Sequence, residues 1–193
     1  MRVSREKAAA NRDRIIDAAT QLFRAKGFAG IGLADIMKAA ELTHGGFYGH
    51  FSSKEDLIAQ ASRRTMARAA ANWEGVVADA PDHPYAALLQ HYLTPRHRDD
   101  PGRGCAFAAL GNDAARSGKM VRKTFAEGLE PLIAVLAEAI PGRSKAVRRR
   151  KAVAAMAGLV GALTLARAVE DHALSDEILD AVRRELAAAV EQP

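Results

Sequence analysis

Apolar residues recur at helical spacing along almost the whole chain, and this pattern limits what the sequence can fold into. No segment alternates apolar and polar residues in the way a half-buried strand would. Between residues 11 and 26 the apolar side chains fall on one helical face: Ile15, Ile16, Ala19, Leu22 and Phe23. Gly27 then provides a stop signal. The pattern predicts an all-α fold.

Proline- and glycine-rich breaks divide the later part of the chain into further predicted helices. Pro81 and Pro84 end a long helix that starts at Ser53, and the segment 94–104 separates two more. A break at 141–144 precedes a long helix through Arg167. The last predicted helix covers 176–190.

Composition limits the classes of protein to consider. About half of the 193 residues are apolar and a quarter are charged, which is typical of a globular protein. The first residues are too charged for a secretory signal, so we expect a cytoplasmic protein. The single cysteine, Cys105, excludes an intrachain disulfide.

The polar residues suggest neither an enzyme nor a cofactor site. No nucleophile is paired with a base in a recognisable pattern. The nearest approach to a metal cluster is formed by His91, His97, Asp99 and Cys105, whose spacing matches no familiar set of ligands. We therefore expect no catalytic residues, no metal and no other cofactor.

Positive charge is concentrated near the N-terminus. Residues 1–64 contain 11 Lys and Arg and 7 Asp and Glu, whereas the rest of the chain is almost balanced. A basic segment is typical of a protein that binds a polyanion such as nucleic acid or a membrane surface. A merely solvated surface would have the same composition, so charge alone leaves both interpretations open.

The segment 42–54, LTHGGFYGHFSSK, lies between two predicted helices and has an unusual composition. Thr43 can cap a short helix, and Ser52 with Glu55 has the spacing of a capping box for the next one. Glycine costs roughly 1 kcal/mol inside a helix, so packing of Phe47 and Phe51 must hold this one in place. A short helix after a turn and a supporting helix is typical of a helix-turn-helix module. A glycine-rich turn with aromatic core residues is the alternative.

Residues 11–58 resemble the N-terminal DNA-binding domain of the TetR family of transcriptional regulators. The resemblance rests on the segments RDRIIDAATQLFRAKGF, LADIMKAAELTHGGFYGHF and SSKEDL. It implies a helix-turn-helix domain over 1–52, followed over 53–193 by a helical domain for effector binding and dimerisation. It also implies a homodimer, usually a repressor, that binds a palindromic DNA operator and responds to a small molecule.

The resemblance assigns roles to particular residues of the segment. Four positions fall where members of the family contact bases: Thr43, His44, Gly45 and Gly46. Three fall where members contact phosphates: Tyr48, His50 and Lys54.

Departures from the family pattern leave few side chains able to read bases directly. Gly32 stands where a capping Thr or Ser is common, and Glu41 replaces a glycine of the turn. We therefore expect part of the specificity to come from DNA shape or from an N-terminal arm in the minor groove. The cations of that arm would be Arg2, Arg5 and Lys7.

The last two predicted helices match the pair that forms the dimer interface in proteins of this kind. Small residues at i+4 spacing form a ridge that another helix can approach closely: Ala154, Gly158, Ala162 and Ala166. The final helix presents an apolar stripe that includes Ile178, Val182 and Leu186. An intramolecular core helix is the alternative. The uncharged stretch 152–166 is too short to cross a bilayer, and we expect no membrane partner.

The helices between these regions are expected to enclose the effector site, because ligand sites are mainly apolar with a few polar groups. Cys105 could instead be a reactive thiol for electrophile or oxidant sensing, since it lies near Arg103 at a predicted helix start. A basic membrane-surface or scaffold protein is the alternative outside gene regulation. The expected ligand-binding residues are Trp73, Leu89, Tyr92, Cys105, Phe107, Leu110, Phe125, Met156 and Leu163.

Overall fold

A computed structural model describes residues 5–142 and 144–191, and every regular element within those ranges is helical. The predicted all-α fold is confirmed. A 3₁₀ helix, His44–Gly49, lies between the second and third α-helices. The α-helices are α1 (Arg5–Lys26), α2 (Leu33–Ala39), α3 (Lys54–Ala78), α4 (Pro84–Tyr92), α5 (Pro95–Asp99), α6 (Ala106–Ala115), α7 (Lys119–Ala139), α8 (Lys145–Ala168) and α9 (His172–Glu191).

Two hydrophobic clusters form the interior, and α3 belongs to both. The N-terminal cluster joins α1, α2, the 3₁₀ helix and the first half of α3 to side chains of α6 and α7. For example, the rings of Phe28 and Phe125 meet edge to face at 6.5 Å. The C-terminal cluster contains the rest of α3 with α4, α7, α8 and α9. The predicted domain boundary between residues 52 and 53 falls just before α3, and the N-terminal cluster extends beyond it.

The start of α3 lies one residue later than the predicted capping box. Ser53 is the N-cap, and its hydroxyl accepts a hydrogen bond of 3.0 Å from the Asp56 amide. The Asp56 carboxylate in turn accepts bonds from the amide and hydroxyl of Ser52. The prediction of Ser52 with Glu55 was wrong because two adjacent serines and two adjacent acids make both registers possible. Such a cap stabilises a helix by about 1 kcal/mol.

Two other predicted bounds also differ from the structure. The segment 94–104 contains α5, which Thr94 caps by accepting a hydrogen bond from the His97 amide at 3.1 Å. α9 begins at His172, before the predicted start at residue 176, and the Asp171 carboxylate accepts bonds from the first amides of that helix. Both starts depend on a side-chain cap beside a short polar turn.

The ridge of small residues on α8 mainly serves packing within the chain. Ala162 and Ala166 are buried, and Gly158 faces Leu186 and Val182 of α9. For most of this ridge the intramolecular alternative is therefore correct. Apolar spacing shows that a helix will approach, but it does not show whether that helix belongs to the same chain.

α8 is long and apolar enough to cross a membrane when judged by length and composition alone. In the structure it packs between α7 and α9, and its buried residues include Met156 and Leu163 of the C-terminal cluster. A core helix of a soluble bundle has the same composition, so the composition of α8 does not indicate a membrane span.

Glu41, between α2 and the 3₁₀ helix, has a left-handed backbone with φ of 55°. Its carboxylate lies 2.7 Å from the guanidinium of Arg14 on α1. A residue with a Cβ atom adopts this conformation at a cost of roughly 1–2 kcal/mol, whereas glycine adopts it readily. Glu41 is thus held in a strained turn, and its ion pair is largely exposed.

We expect Glu41→Gly to be more stable than Glu41→Ala by up to about 1 kcal/mol in the free energy of unfolding. Both substitutions remove the pair with Arg14, but only glycine relieves the strain. Urea denaturation of the two variants at neutral pH measures the difference. An alanine variant as stable as the glycine variant would show that the turn relaxes without cost.

Candidate nucleic-acid interface and ligand cavity

The 3₁₀ helix presents an exposed face made of glycine backbone and of the His44 and Tyr48 side chains. Thr43, His44, Gly45 and Gly46 are exposed, and the Tyr48 side chain is 71% exposed. The four residues expected to contact bases thus lie together at the surface, at the start of the helix. His50, at its end, is half-buried beside the ring of Phe51.

Phe47 fixes this helix to the N-terminal cluster. Its side chain is fully buried, and its ring stacks on Phe51 with centroids 5.5 Å apart. The Tyr48 ring meets Phe47 edge to face at 5.2 Å, and the Arg12 guanidinium lies over Phe51. Truncating a buried Phe to Ala typically costs 3–5 kcal/mol, so Phe47 supplies the packing that the glycines cannot. The predicted burial of Phe47 and Phe51 is confirmed.

Neither packing nor backbone conformation within the described chain requires glycine at residues 45 and 49. A Cβ atom added at Gly45 or Gly49 would meet no described atom within 4 Å. Both glycines have negative φ, unlike Gly27 and Gly142. The two glycines therefore leave open space on the outer side of the helix, where another molecule can approach the backbone.

Two side chains of this region behave differently from expectation. Thr43 lies at the N-cap position, but its hydroxyl accepts no capping bond, so the predicted side-chain cap was wrong. The Thr43 backbone is extended, as at an N-cap, and its hydroxyl lies near Gly46 at the exposed start of the helix. Lys54 donates a hydrogen bond of 2.6 Å to the Ile31 carbonyl, which ties its ammonium to the preceding loop. An ammonium has two further donors for a phosphate.

The N-terminal arm differs from expectation where the structure describes it. Arg5 and Lys7 belong to α1, so they extend along a helix rather than along a flexible arm. Arg2 lies outside the described residues. The helical start of α1 follows from a run of alanines, which have the highest helix propensity.

A cavity of about 630 Å³ lies where α1, α3, α4 and the segment around α5 meet. Three of the nine residues expected to bind a ligand line it: Trp73, Tyr92 and Cys105. Leu110 and Phe125 belong to the N-terminal cluster, and Leu89, Met156 and Leu163 belong to the C-terminal cluster. Phe107 packs against both. Apolar spacing identified these six as interior residues, but it does not distinguish the wall of a cavity from solid core.

Tyr92 brings a polar group without a partner into the cavity. Its side chain is buried, and its hydroxyl makes no hydrogen bond within the described chain. Burial raises the pKa of Tyr92 well above its ordinary value, with a further contribution from Cys105. The Trp73 ring meets Tyr92 edge to face at 5.8 Å. A buried hydroxyl without a partner is costly in an empty site and is available to a ligand.

His97 connects the two sides of the cavity. Its Nε2 accepts a 2.9 Å hydrogen bond from the Cys105 amide, so its Nδ1 must donate to the Tyr92 carbonyl at 2.8 Å. This arrangement requires a neutral ring. Burial lowers the pKa of His97, and the nearby positive charges of Arg167 and His91 lower it further, partly offset by the bond to Tyr92.

Two connections lead from the cavity to the N-terminal helices. Arg24 of α1 lines the cavity and donates a 2.8 Å hydrogen bond to the Gly102 carbonyl. α6 begins beside the cavity at Cys105, and the carboxylate of its Asp113 accepts a hydrogen bond from the Phe28 amide at 2.9 Å. Both connections end on the last turn of α1 or just after it.

Comparison with known proteins identifies the N-terminal helices. Residues 15–61 match the family described as bacterial regulatory proteins, tetR family. The N-terminal part of the chain is thus a TetR-family domain. The match covers α2, the 3₁₀ helix and most of the α1 and α3 residues that pack against them.

Two curated transcriptional regulators of the helix-turn-helix type are similar to part of this chain. The transcriptional repressor DhaR of Mycobacterium sp. (strain GP1) is 31% identical over 94 residues, which cover 49% of this chain and 47% of DhaR. The transcriptional regulator AcrR of Shigella flexneri is 37% identical over 59 residues, which cover 31% of this chain and 27% of AcrR. The chain thus matches about half of one relative and about a quarter of the other.

Solved structures extend the likeness to the whole TetR-family fold. The reduced form of Escherichia coli NemR superposes with a TM-score of 0.77 at 22% identity, over 92% of this chain and 95% of NemR. A TetR-family regulator from Cytophaga hutchinsonii gives a TM-score of 0.78 at 23% identity, over the full length of both chains. At these identities the likeness shows a shared fold.

Sequence reasoning missed the arginines that surround the cavity. Arg24, Arg68, Arg96 and Arg103 all line it, together with the expected rings. They come from α1, α3, α5 and the following loop, so no local pattern brings them together. The RHR run at 96–98 was the available signal, and there Arg98 points elsewhere, toward Asp176 of α9 at 2.6 Å.

We expect the stability of the chain to fall as the pH is lowered from about 7.5 to about 5.5, partly through His97. Because burial lowers the pKa of His97 in the folded state, the unfolded chain takes up its proton first. Stability is then lost once the pH falls below the pKa of His97 in the unfolded chain. His97→Gln should reduce this pH dependence, and urea denaturation at both pH values measures it. His83→Gln, at an exposed position just before α4, is the control and should keep the wild-type slope.

Proposed function

We propose that this chain is a transcriptional repressor that binds a palindromic DNA operator as a homodimer and releases it when a small molecule fills the cavity. Family membership supports the regulatory role. The observation that carries the DNA-binding role is the exposed, glycine-bearing 3₁₀ helix fixed from below by Phe47. The inner side of the helix is packed, whereas its outer side has open space beside Gly45 and Gly49.

In the complex, this helix lies in the major groove. Thr43 and His44 at its start reach base edges, and the exposed backbone at Gly45 and Gly46 approaches the same surface. Tyr48 and His50 donate to phosphates, as do the two donors of Lys54 not directed at Ile31. Few side chains read bases directly, so DNA shape supplies part of the specificity.

A homodimer is supported by the apolar surface of α8 and α9. Val153, Leu165 and Leu174 are among the few large apolar side chains that the described chain exposes. Gly161 lies on the same exposed side of α8 as Leu165, with open space beside it. A further helix pair can pack there, so that two recognition helices lie about one DNA turn apart, roughly 34 Å. Of the predicted ridge, Ala154 is exposed and remains available to the partner.

Effector control follows from the position of the cavity between the two clusters. A ligand there contacts α1 directly, through Thr20 and Arg24, and contacts α3 through Trp73. A ligand that fits better when α1 and α3 have moved apart shifts the population toward that arrangement. The spacing of the recognition helices then no longer matches the operator.

Covalent modification of Cys105 is a second trigger acting at the same place. The thiol is half-buried and lines the cavity, so an electrophile held there would reach it. Release of DNA by a quinone that is lost in Cys105→Ser would favour this trigger over a reversible ligand. A membrane-surface or scaffold protein would show neither operator selection nor release.

We expect Gly45→Ala to weaken operator binding at least roughly tenfold while leaving the fold as stable or slightly more stable. The added methyl group fills space that is open in the free chain, where alanine favours a helix, but it collides with the DNA backbone or bases in the complex. Fluorescence anisotropy with a duplex selected from random sequences measures the affinity, and thermal unfolding measures the stability.

The matched control is Gly75→Ala on α3, where an added Cβ also meets no described atom. This variant should keep the wild-type affinity. The affinity of the wild type should fall linearly with salt on logarithmic axes, because phosphate contacts release counterions. Operator binding that is unchanged in Gly45→Ala would contradict the placement of the 3₁₀ helix in the major groove.

We expect Leu165→Arg to shift the protein from dimer to monomer and to abolish tight operator binding. The substitution places a charge in an interface formed by apolar residues. Light scattering at micromolar concentration measures the oligomeric state. Met120→Arg, at another exposed apolar residue away from this surface, should remain dimeric. A wild type that is monomeric under these conditions contradicts the homodimer.

A further inference from the structure

The wall of the cavity is strongly cationic. Four arginines line it, whereas Asp100 is the only carboxylate among the described lining residues. Several of these cations have partners: Arg68 pairs with Asp17 at 2.9 Å, and Arg103 approaches Asp100 at 3.8 Å. The arrangement still leaves an excess of positive charge around one cavity.

Two of the arginines are suited to receive an anion. Arg96 makes no hydrogen bond or ion pair with the described chain. Arg24 is partly buried and bonds only a neutral carbonyl, that of Gly102. Burial lowers the pKa of Arg24, which means that its charge is poorly solvated in the empty cavity. An anionic group on a ligand would take the place of the missing water by accepting a charge-assisted hydrogen bond from this guanidinium.

Another part of the wall is apolar and aromatic. Trp73 and Leu132 line it, and both side chains are buried in the C-terminal cluster. The Tyr92 ring lies beside Trp73, and its hydroxyl is the buried polar group without a partner. This hydroxyl gives the apolar side one hydrogen-bonding point.

We propose that the cavity binds an amphipathic organic anion, a planar apolar body bearing a carboxylate or sulfonate, and that this class of molecule is the effector. The body packs on Trp73 and Leu132, and the anionic group is held by Arg24 and Arg96. The role as effector rests on the proposed DNA-binding function, whereas the binding of the anion does not.

The same contacts explain how such a ligand would affect DNA binding. Arg24 belongs to α1, whose buried residues pack in the N-terminal cluster with the 3₁₀ helix. An anion that attracts the Arg24 guanidinium competes with its bond to Gly102. The end of α1 is then released from the loop that holds it and can move relative to α3. A neutral ligand of the same shape lacks this effect.

The test uses two probes that differ by one charged group, anilinonaphthalenesulfonate and its neutral analogue N-phenylnaphthylamine. Trp73 is the only tryptophan in the chain, so energy transfer from it to the bound probe reports binding near the cavity. We expect the wild type to bind the sulfonate at least roughly tenfold more tightly than the neutral analogue. Inorganic phosphate at the same concentrations should not displace the probe, because it lacks the apolar body.

Arg96→Gln is the informative variant, because Arg96 is exposed and removing its charge disturbs no described contact. It should weaken binding of the sulfonate roughly fivefold or more and leave the neutral analogue unaffected. Arg150→Gln removes the same charge from an exposed position of α8 that does not line the cavity. This control should bind both probes as the wild type does.

Equal affinity for the two probes, an unaltered sulfonate affinity in Arg96→Gln, or displacement by phosphate would overturn the proposal. Operator binding is measured separately by anisotropy, without probe and then with it. The absence of any operator binding without probe would refute the proposed DNA-binding function, whatever the probes do. Operator binding that persists when the cavity is saturated with the sulfonate would overturn the effector role.

Discussion

The helix α3 is the element on which the rest of the structure depends, because it contributes to both hydrophobic clusters. Leu57 and Met66 are buried in the N-terminal cluster with Phe47, and Trp73 is buried in the C-terminal cluster. A straight helix transmits a displacement at one end to the other, since its backbone hydrogen bonds resist bending. The surface that we propose faces DNA and the wall of the cavity therefore share one support, α3.

The cavity lies at the seam between the two clusters rather than inside either one. Its lining includes Arg24 from α1 and Tyr92 from α4, which belong to different parts of the fold. His97 fastens the Tyr92 carbonyl to the Cys105 amide, and Asp113 fastens α6 to Phe28. Hydrogen bonds and ion pairs can exchange partners with little loss of packing, whereas a close-packed core cannot rearrange without losing contacts. In our proposal, a small molecule bound at this polar boundary therefore changes how the two clusters pack against each other.

Much of the N-terminal third could be predicted from the sequence because its signals are local. The apolar stripe of α1, the packing of Phe47 and Phe51, and the helix-turn-helix order depend on residues a few positions apart. The wrong predictions concerned helix caps. At Ser52 and Ser53, two neighbouring serines could each cap the helix, and at Thr43 the backbone geometry prevented the side-chain cap. The left-handed conformation of Glu41 could be suspected only because a glycine is common at that position in the family.

The sequence by itself determined the helical class, the family and the segment that faces DNA in our proposal, since helical spacing and turn residues act over short distances. Tertiary structure decided which side of α8 is internal and which six of the nine expected ligand residues are solid core. It also gathered Arg24, Arg96 and Tyr92 around one volume. Contacts between residues so far apart in the chain depend on how α3 packs between the others, and no local pattern records that packing.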